Sequence, residues 1–274
     1  MTQQPNWPQL LTECKKNIQK QITPLLQTPK KPQPNLGIGA GGDKKNPIDL
    51  AAETAITNTL KKHNISFTLI SEESGTIEYG EKPHQHYVTT DPIDGTTNLT
   101  RGIPFYATSI AISTKPTLNT VHTALVTDLF HNITYTAQKR KGAKRNDKQI
   151  TPSKTTLLEE AVIGVDINTF KIKNLIPKLA GLVQKTKHVR HFGANALELC
   201  YVADGTTDAF IDIRGKLRTT DTAAAWLIIN EAKALITTLE KEPLNAKLDP
   251  KQKIAFIAAA NQEIYNTILA TIKP

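Results

Sequence analysis

The chain has 274 residues, and 34 Lys and Arg against 25 Asp and Glu give it a formal net charge of +9. With 39% hydrophobic and 22% charged residues it can bury a sizeable core, which excludes global disorder. The basic balance suits anionic partners: phosphorylated metabolites, nucleic acid or an acidic membrane surface. The opening MTQQPNWPQL has no apolar signal region, and no run approaches eighteen apolar residues. Two cysteines, Cys14 and Cys200, cannot form a disulfide framework, so the expectation is a protein of the reducing cytoplasm.

Apolar spacing through Leu11, Cys14, Ile18, Ile22 and Leu25 predicts a first helix from about Trp7 to Leu26, ended by TPKKPQPN. LGIGAGGDKKN then reads as a mobile loop. Its Gly37-x-Gly39-x-x-Gly42 pattern follows no strand and leads directly into no helix, so a dinucleotide site is set aside. The P-loop is set aside too, because Asp43 stands where Lys is required. A lid over an active site, with Asp43 or Lys44 nearby, is the better reading. Pro47 opens a second helix with Ala52, Ala55, Ile56 and Leu60 on one face. Phe67–Ile70 and Tyr87–Thr90 have strand character, and ATSIAIS, HTALVTD and NITYTAQ continue it from Phe105 to Ala137. The basic run Lys139–Lys148 is expected at a hairpin tip.

After Thr151-Pro152-Ser153 the rhythm becomes strand–helix: AVIGVDI, IKNLIPKLAGLVQK, HVRHF, NALELCYVA, DAFIDI, TAAAWLIINEA, KIAFIAAA and NQEIYNTILATI. This alternation predicts an α/β fold with much parallel pairing in the second half. The expected boundary falls at residue 152, between a mixed α+β half (1–152) with a largely antiparallel sheet and an α/β half (153–274).

Thr90-Asp91-Pro92-Ile93-Asp94-Gly95-Thr96-Thr97-Asn98 follows a predicted strand and is the most informative segment. Two carboxylates with a stiff proline between them can aim at one point. Gly95 lets backbone approach a ligand, and Thr96 adds a hydroxyl beside backbone N–H groups. Such a set holds hard divalent cations through oxygen and offers donors to phosphate. Taken alone, DPIDG reads equally as an Asp-Pro, Asp-Gly turn, and EF-hand spacing fails. Ser71-Glu72-Glu73-Ser74-Gly75 also follows a strand, where adjacent acids are usually solvated surface. Asp221 precedes an apolar helix, where Asp commonly caps. Asp49 sits in the first turn of the second helix.

Together, Asp49, Glu72-Glu73, DPIDGTTN and Asp221 before an Ala-rich helix resemble the inositol monophosphatase family of magnesium-dependent sugar phosphatases, from about Ile48 onward. DAFIDIRGKLRTTD resembles the archaeal branch, whose members hydrolyse both inositol monophosphate and fructose 1,6-bisphosphate. The resemblance implies a layered α-β-α-β-α sandwich, often a homodimer. It implies two or three Mg²⁺ ions, with Mn²⁺ as a possible substitute: Glu72, Asp91 and the Ile93 carbonyl on one, Asp91, Asp94 and Asp221 on a second, Glu72 helping a third. Asp49 and Thr96 would orient the attacking water, with Glu73 in the same catalytic group. Gly95 and Thr96 N–H groups would hold phosphate. Asp94, Arg190, Ala194, Asn195 and Arg214 are candidates to bind the sugar or a second phosphate. Three departures stand out: Thr220 replaces the usual Trp before Asp221, Gly193-Ala194 replaces Gly-Ser, and Lys233-Ala234 replaces Gly-Gly.

The expected activity is phosphomonoester hydrolysis on a small sugar or inositol phosphate. A 3′-phosphoadenosine nucleotide phosphatase is the nearest enzymatic alternative, and a nucleic-acid-associated regulatory protein on the same fold is the alternative from another class. His84-x-His86 lacks a third zinc ligand and is read as surface. The Lys139–Lys148 run lacks interleaved aromatics, so nucleic acid is not the expected partner, nor is a membrane.

Overall fold

The computed structural model describes residues 5–27, 36–42, 44–170 and 172–272. The expected helix stop at TPKKPQPN, and Asp43, lie outside the described residues.

Helix α1 spans Trp7–Gln27 and α2 spans Pro47–Lys62. Local chemistry sets the start of α2: the Asn46 side chain accepts the Ile48 N–H at 2.9 Å, and Pro47 takes a first-turn position that needs no donor. Lys61 and Lys62 sit at its negative end. The chain continues through strands β1 (Phe67–Ser71), β2 (Gly75–Tyr79) and β3 (Tyr87–Asp94), the short helix α3 (Thr96–Arg101), then β4 (Ala107–Ser113), β5 (Val121–Asp128), β6 (Ile133–Gln138), β7 (Ala143–Arg145) and β8 (Lys148–Gln149). These eight strands form one sheet in the order β2-β1-β3-β4-β5-β6-β7-β8, antiparallel except where β1 meets β3.

The basic run is not a single hairpin tip. It holds two successive turns with β7 between them. Arg140, Asn146 and Asp147 take left-handed backbone angles there, and Asn and Asp tolerate that region better than most residues.

The second sheet uses β9 (Val162–Val165), β10 (His188–Arg190), β11 (Ala209–Arg218), β12 (Leu235–Thr237) and β13 (Lys253–Ala259), in the order β10-β9-β11-β13-β12. Its helices are α4 (Leu175–Lys185), α5 (Asn195–Ala203), α6 (Thr219–Ala232) and α7 (Gln262–Thr271). The expected parallel pairing holds for β10, β9 and β11, whereas β13 runs antiparallel to both β11 and β12. The chain from β12 returns through residues 238–252 and so re-enters the sheet reversed.

Strand alternation builds the layers. In β4, Ile110 and Ile112 face α1 and α2, while Ala107 and Ala111 face the interior shared with α5 and α6. In β11, Phe210 faces that interior, while Ala209 and Ile211 face Leu179 of α4 and Ile264 of α7. The result is an α-β-α-β-α sandwich. Ala223, Ala224 and Ala225 are fully buried, so α6 is thin where it runs between the two sheets. Among the described residues, no helix is long and apolar enough to cross a membrane.

Candidate active site

Four chain segments deliver carboxylates to one cleft. In β3 the strand does not stop at Thr90 but runs through Asp94, with a register shift against β4 between Asp91 and Asp94. Pro92 has no N–H for the ladder, and the irregularity absorbs it. At a period of two, residues 91 and 94 would face opposite sides; the shift lets both line the cleft. Glu72 and Glu73 form the tight turn between β1 and β2, where Ser71 Oγ accepts the Glu73 N–H at 3.2 Å. Asp49 lies in the first turn of α2. Asp221 is the third residue of α6, and its Oδ2 accepts the Arg218 N–H at 3.0 Å, a reach-back that starts the helix.

All six carboxylates are at most 8% exposed. One oxygen each from Glu72, Asp91 and Asp221 lie within 4.8 Å of one another. Burial, then the charge of Glu73, pushes Asp49 up to about 7. Burial, then Asp221, does the same for Asp94 and takes Glu72 to about 8. Asp91 is also raised, by burial first and Glu72 next. Such a group holds its negative charge comfortably only beside cations.

Around the cluster, Thr96 Oγ1 lies 3.0 Å from Asp49 Oδ1 and 2.9 Å from the Ile93 carbonyl oxygen. Asp94 accepts the Asn195 N–H at 3.1 Å and the Ala196 N–H at 2.6 Å, which ties the end of β3 to the start of α5. Gly95 has φ 87°, and a Cβ there would meet Ala194 Cβ at 3.0 Å and the Phe105 carbonyl oxygen at 3.1 Å, so the position demands glycine twice over.

The cleft has a volume of about 760 Å³ and is lined by Asp49, Glu72, Glu73, Asp91, Ile93, Asp94, Gly95, Thr96, Asn195, Arg214 and Asp221 from the expected set. Ala194 is fully buried against Gly95 and is not on the lining. Arg190 is not on it either. It is exposed, and its Nη1 donates to the Val189 carbonyl at 3.0 Å; the neighbouring His191 faces the cleft instead. Arg214 is there but already engaged: its Nε and Nη2 donate to Asp212 at 2.9 and 2.6 Å, and Nη2 also pairs with Asp166. Lys44 of the Gly-rich loop lines the cleft. His84 is exposed and pairs with Glu78, whereas His86 is half-buried edge-on against Trp7.

Sequence reasoning missed Arg218, whose guanidinium meets both Glu72 and Asp221. It also missed Lys216 and Lys253 on the cleft wall, and Glu198, whose Oε1 accepts the Gly193 N–H at 3.0 Å beneath the turn. A signal for part of this was present. Arg214, Lys216 and Arg218 recur at the strand period along DAFIDIRGKLR, and all three line the cleft.

The fold and this cluster define a metal-dependent phosphatase. Residues 7–273 match the inositol monophosphatase family, and the chain belongs to it. A relative from Thermococcus kodakarensis, named fructose-1,6-bisphosphatase/inositol-1-monophosphatase, is 33% identical over 270 residues, covering 98% of each chain. One of the same name from Archaeoglobus fulgidus is 35% identical over 243 residues, covering 87% of this chain and 88% of that one. The crystal structure of an inositol monophosphatase-fructose 1,6 bisphosphatase superposes with a TM-score of 0.86 at 31% identity, over 98% of this chain and 100% of that one.

Proposed function

We propose that this protein is a Mg²⁺-dependent phosphomonoesterase that hydrolyses inositol 1-phosphate and fructose 1,6-bisphosphate by attack of a water on phosphorus. The observation that carries the reading is the buried approach of Glu72, Asp91 and Asp221, oxygens from three separate elements, to within 4.8 Å. The donor set fits the ion: hard carboxylate oxygens, with no sulfur or imidazole ligand among them. Glu72, Asp91 and the Ile93 carbonyl would hold one cation, and Asp91, Asp94 and Asp221 a second. Bound there, such cations lower the pKa of a coordinated water and offset charge on the leaving oxygen.

The chain's own groups do the rest. Thr96 has a single hydroxyl proton and two acceptors in reach, Asp49 Oδ1 and the Ile93 carbonyl. Donating it to Asp49 leaves the Oγ1 lone pairs to accept from the attacking water and orient it. Glu73 adds its charge to the effect of burial in raising the Asp49 carboxyl. Backbone N–H groups of Gly95 and Thr96 take phosphate oxygens. Asn195 Oδ1, buried and without a hydrogen-bond partner, accepts a sugar hydroxyl at the cleft wall. Lys216 and His191, with the anchored Arg214, face the end where a second phosphate sits. Mn²⁺ in place of Mg²⁺, a homodimer and a cytoplasmic location complete the proposal. The family likeness supports the first two, and the two buried free cysteines are consistent with the third.

A phosphate-release panel tests this, run with Mg²⁺ and with EDTA on inositol 1-phosphate, fructose 1,6-bisphosphate and 3′-phosphoadenosine 5′-phosphate. Mg²⁺-dependent release from the first two supports it. Release that survives EDTA, or occurs only from the nucleotide, overturns it.

A further inference from the structure

Arg218 ends β11 three residues before Asp221, and its side chain is only 14% exposed. Three of its nitrogens face the cluster and the loop beside it. Nη2 pairs with Glu72 Oε2, Nε lies 3.4 Å from Asp221 Oδ1, and Nη1 donates to the Gly41 carbonyl at 3.3 Å. The segment 36–42 reaches the same place through its backbone. The Gly41 N–H donates to the Glu72 carbonyl at 2.7 Å, and the Ala40 N–H to the Glu73 carbonyl at 3.2 Å. A Cβ on Gly41 would come within 2.5 Å of Arg218 Nη1, so the glycine is what lets the guanidinium sit between the loop and Glu72.

A guanidinium keeps its charge at every working pH, and its planar fork fits carboxylate lone pairs. Glu72 and Asp221 are two of the three acids that converge in the cluster. A divalent cation drawn by those oxygens therefore meets a positive charge that already holds them.

We propose that Arg218 is a resident counter-cation of the cluster, a positioning residue that holds Glu72 and Asp221, competes with divalent ions for their oxygens and fastens the 36–42 loop to the site. This rests on the metal reading above. The two functions separate by chemistry. Competition needs only positive charge, whereas the bridge from Glu72 to Gly41 needs the fork.

The test is calorimetric titration of Mn²⁺ into the full chain, with amide hydrogen exchange at Ala40 and Gly41 as a second readout. Arg218→Gln should bind Mn²⁺ at least about tenfold more tightly than wild type, equivalent to about 1.4 kcal/mol. Arg218→Lys should keep the affinity within about threefold of wild type, since the charge remains. Both variants should speed exchange at Ala40 and Gly41, because both lose the bridge to the loop. Circular dichroism checks folding, and Arg218→Met replaces the Gln variant if that fails to fold. Wild type that binds Mn²⁺ while the uncharged variants bind no more tightly overturns the inference and leaves the metal reading standing. Wild type that binds no divalent ion overturns both.

Discussion

Asp94→Asn swaps one carboxylate oxygen for an amide nitrogen at a position where both oxygens accept backbone N–H groups, Asn195 at 3.1 Å and Ala196 at 2.6 Å. The amide can satisfy one of them; its own NH₂ then faces the other donor. Leaving a buried donor without an acceptor costs about 1–3 kcal/mol. Against this stands a relief. Burial and Asp221 hold the Asp94 carboxyl at about 7 in the folded chain, against its ordinary 3.8. An acid raised in this way stabilises the fold below its unfolded pKa, and the contribution is lost as pH rises through the folded value. Between pH 5 and pH 8 the wild type should therefore lose about 3 kcal/mol from this one group, a loss that the Asn variant does not share. Urea unfolding in EDTA at pH 5 should find the variant less stable by about 1–3 kcal/mol, with the two chains equal or reversed at pH 8. At saturating Mg²⁺ the variant should turn over at least about tenfold more slowly, a barrier rise of about 1.4 kcal/mol. A stability gap that stays constant or widens with pH would show that Asp94 is not a strained acid, and retained turnover would remove it from the metal site.

If the Thr96 hydroxyl aims the water, as proposed, and does not hold sugar, Thr96→Ala should lower kcat by about a hundredfold with little change in KM; a KM effect alone would mean that the role is misassigned. Arg214→Ala strips the partner from buried Asp166 and Asp212 and should cost about 3–5 kcal/mol in urea unfolding, while exposed Arg190→Ala should change stability by less than about 0.5 kcal/mol and leave turnover intact. Lys233 closes α6 with φ 73°, a left-handed angle that favours glycine. Lys233→Gly should therefore raise stability by about 0.5–1 kcal/mol and the melting temperature by about 1–2 °C, read by calorimetry.

The elements visible in the sequence were those set by neighbours in the chain. Asn46-Pro47 marks the start of α2 because capping is a matter of two residues, and Asn261 does the same for α7, accepting the Ile264 N–H. Pro92 misleads at the end of β3. It reads as a break, and only pairing with β4 carries the strand through to Asp94. The three-residue β12 has too little pattern to register and exists because β13 offers it an edge. Within the site, the acids were legible by residue type and order. Their spacing in three dimensions was not, because it depends on a bulge, a hairpin turn and a helix start meeting across the fold. Arg190 and His191 show the same limit: adjacent residues at a strand end face different ways, and which one meets the cleft is fixed by the packing of β10 on β9. Arg218 hid in plain view, since a cation three residues before a helical Asp also reads as an ordinary local pair.

The helix α6, narrow at Ala223–Ala225 and enclosed by both sheets, also brings Asp221 to Glu72 and Asp91 of the first sheet. An ion held by all three would act as a rivet through remote parts of the chain. Its binding energy would add only to the state in which α6 is seated, by an amount set by the ratio of free ion to its dissociation constant. Supply of the ion would then govern how long the protein survives proteases as well as how fast it turns over. Chain deprived of the ion should be nicked first where α6 unseats, and addition of the ion should protect both sheets together.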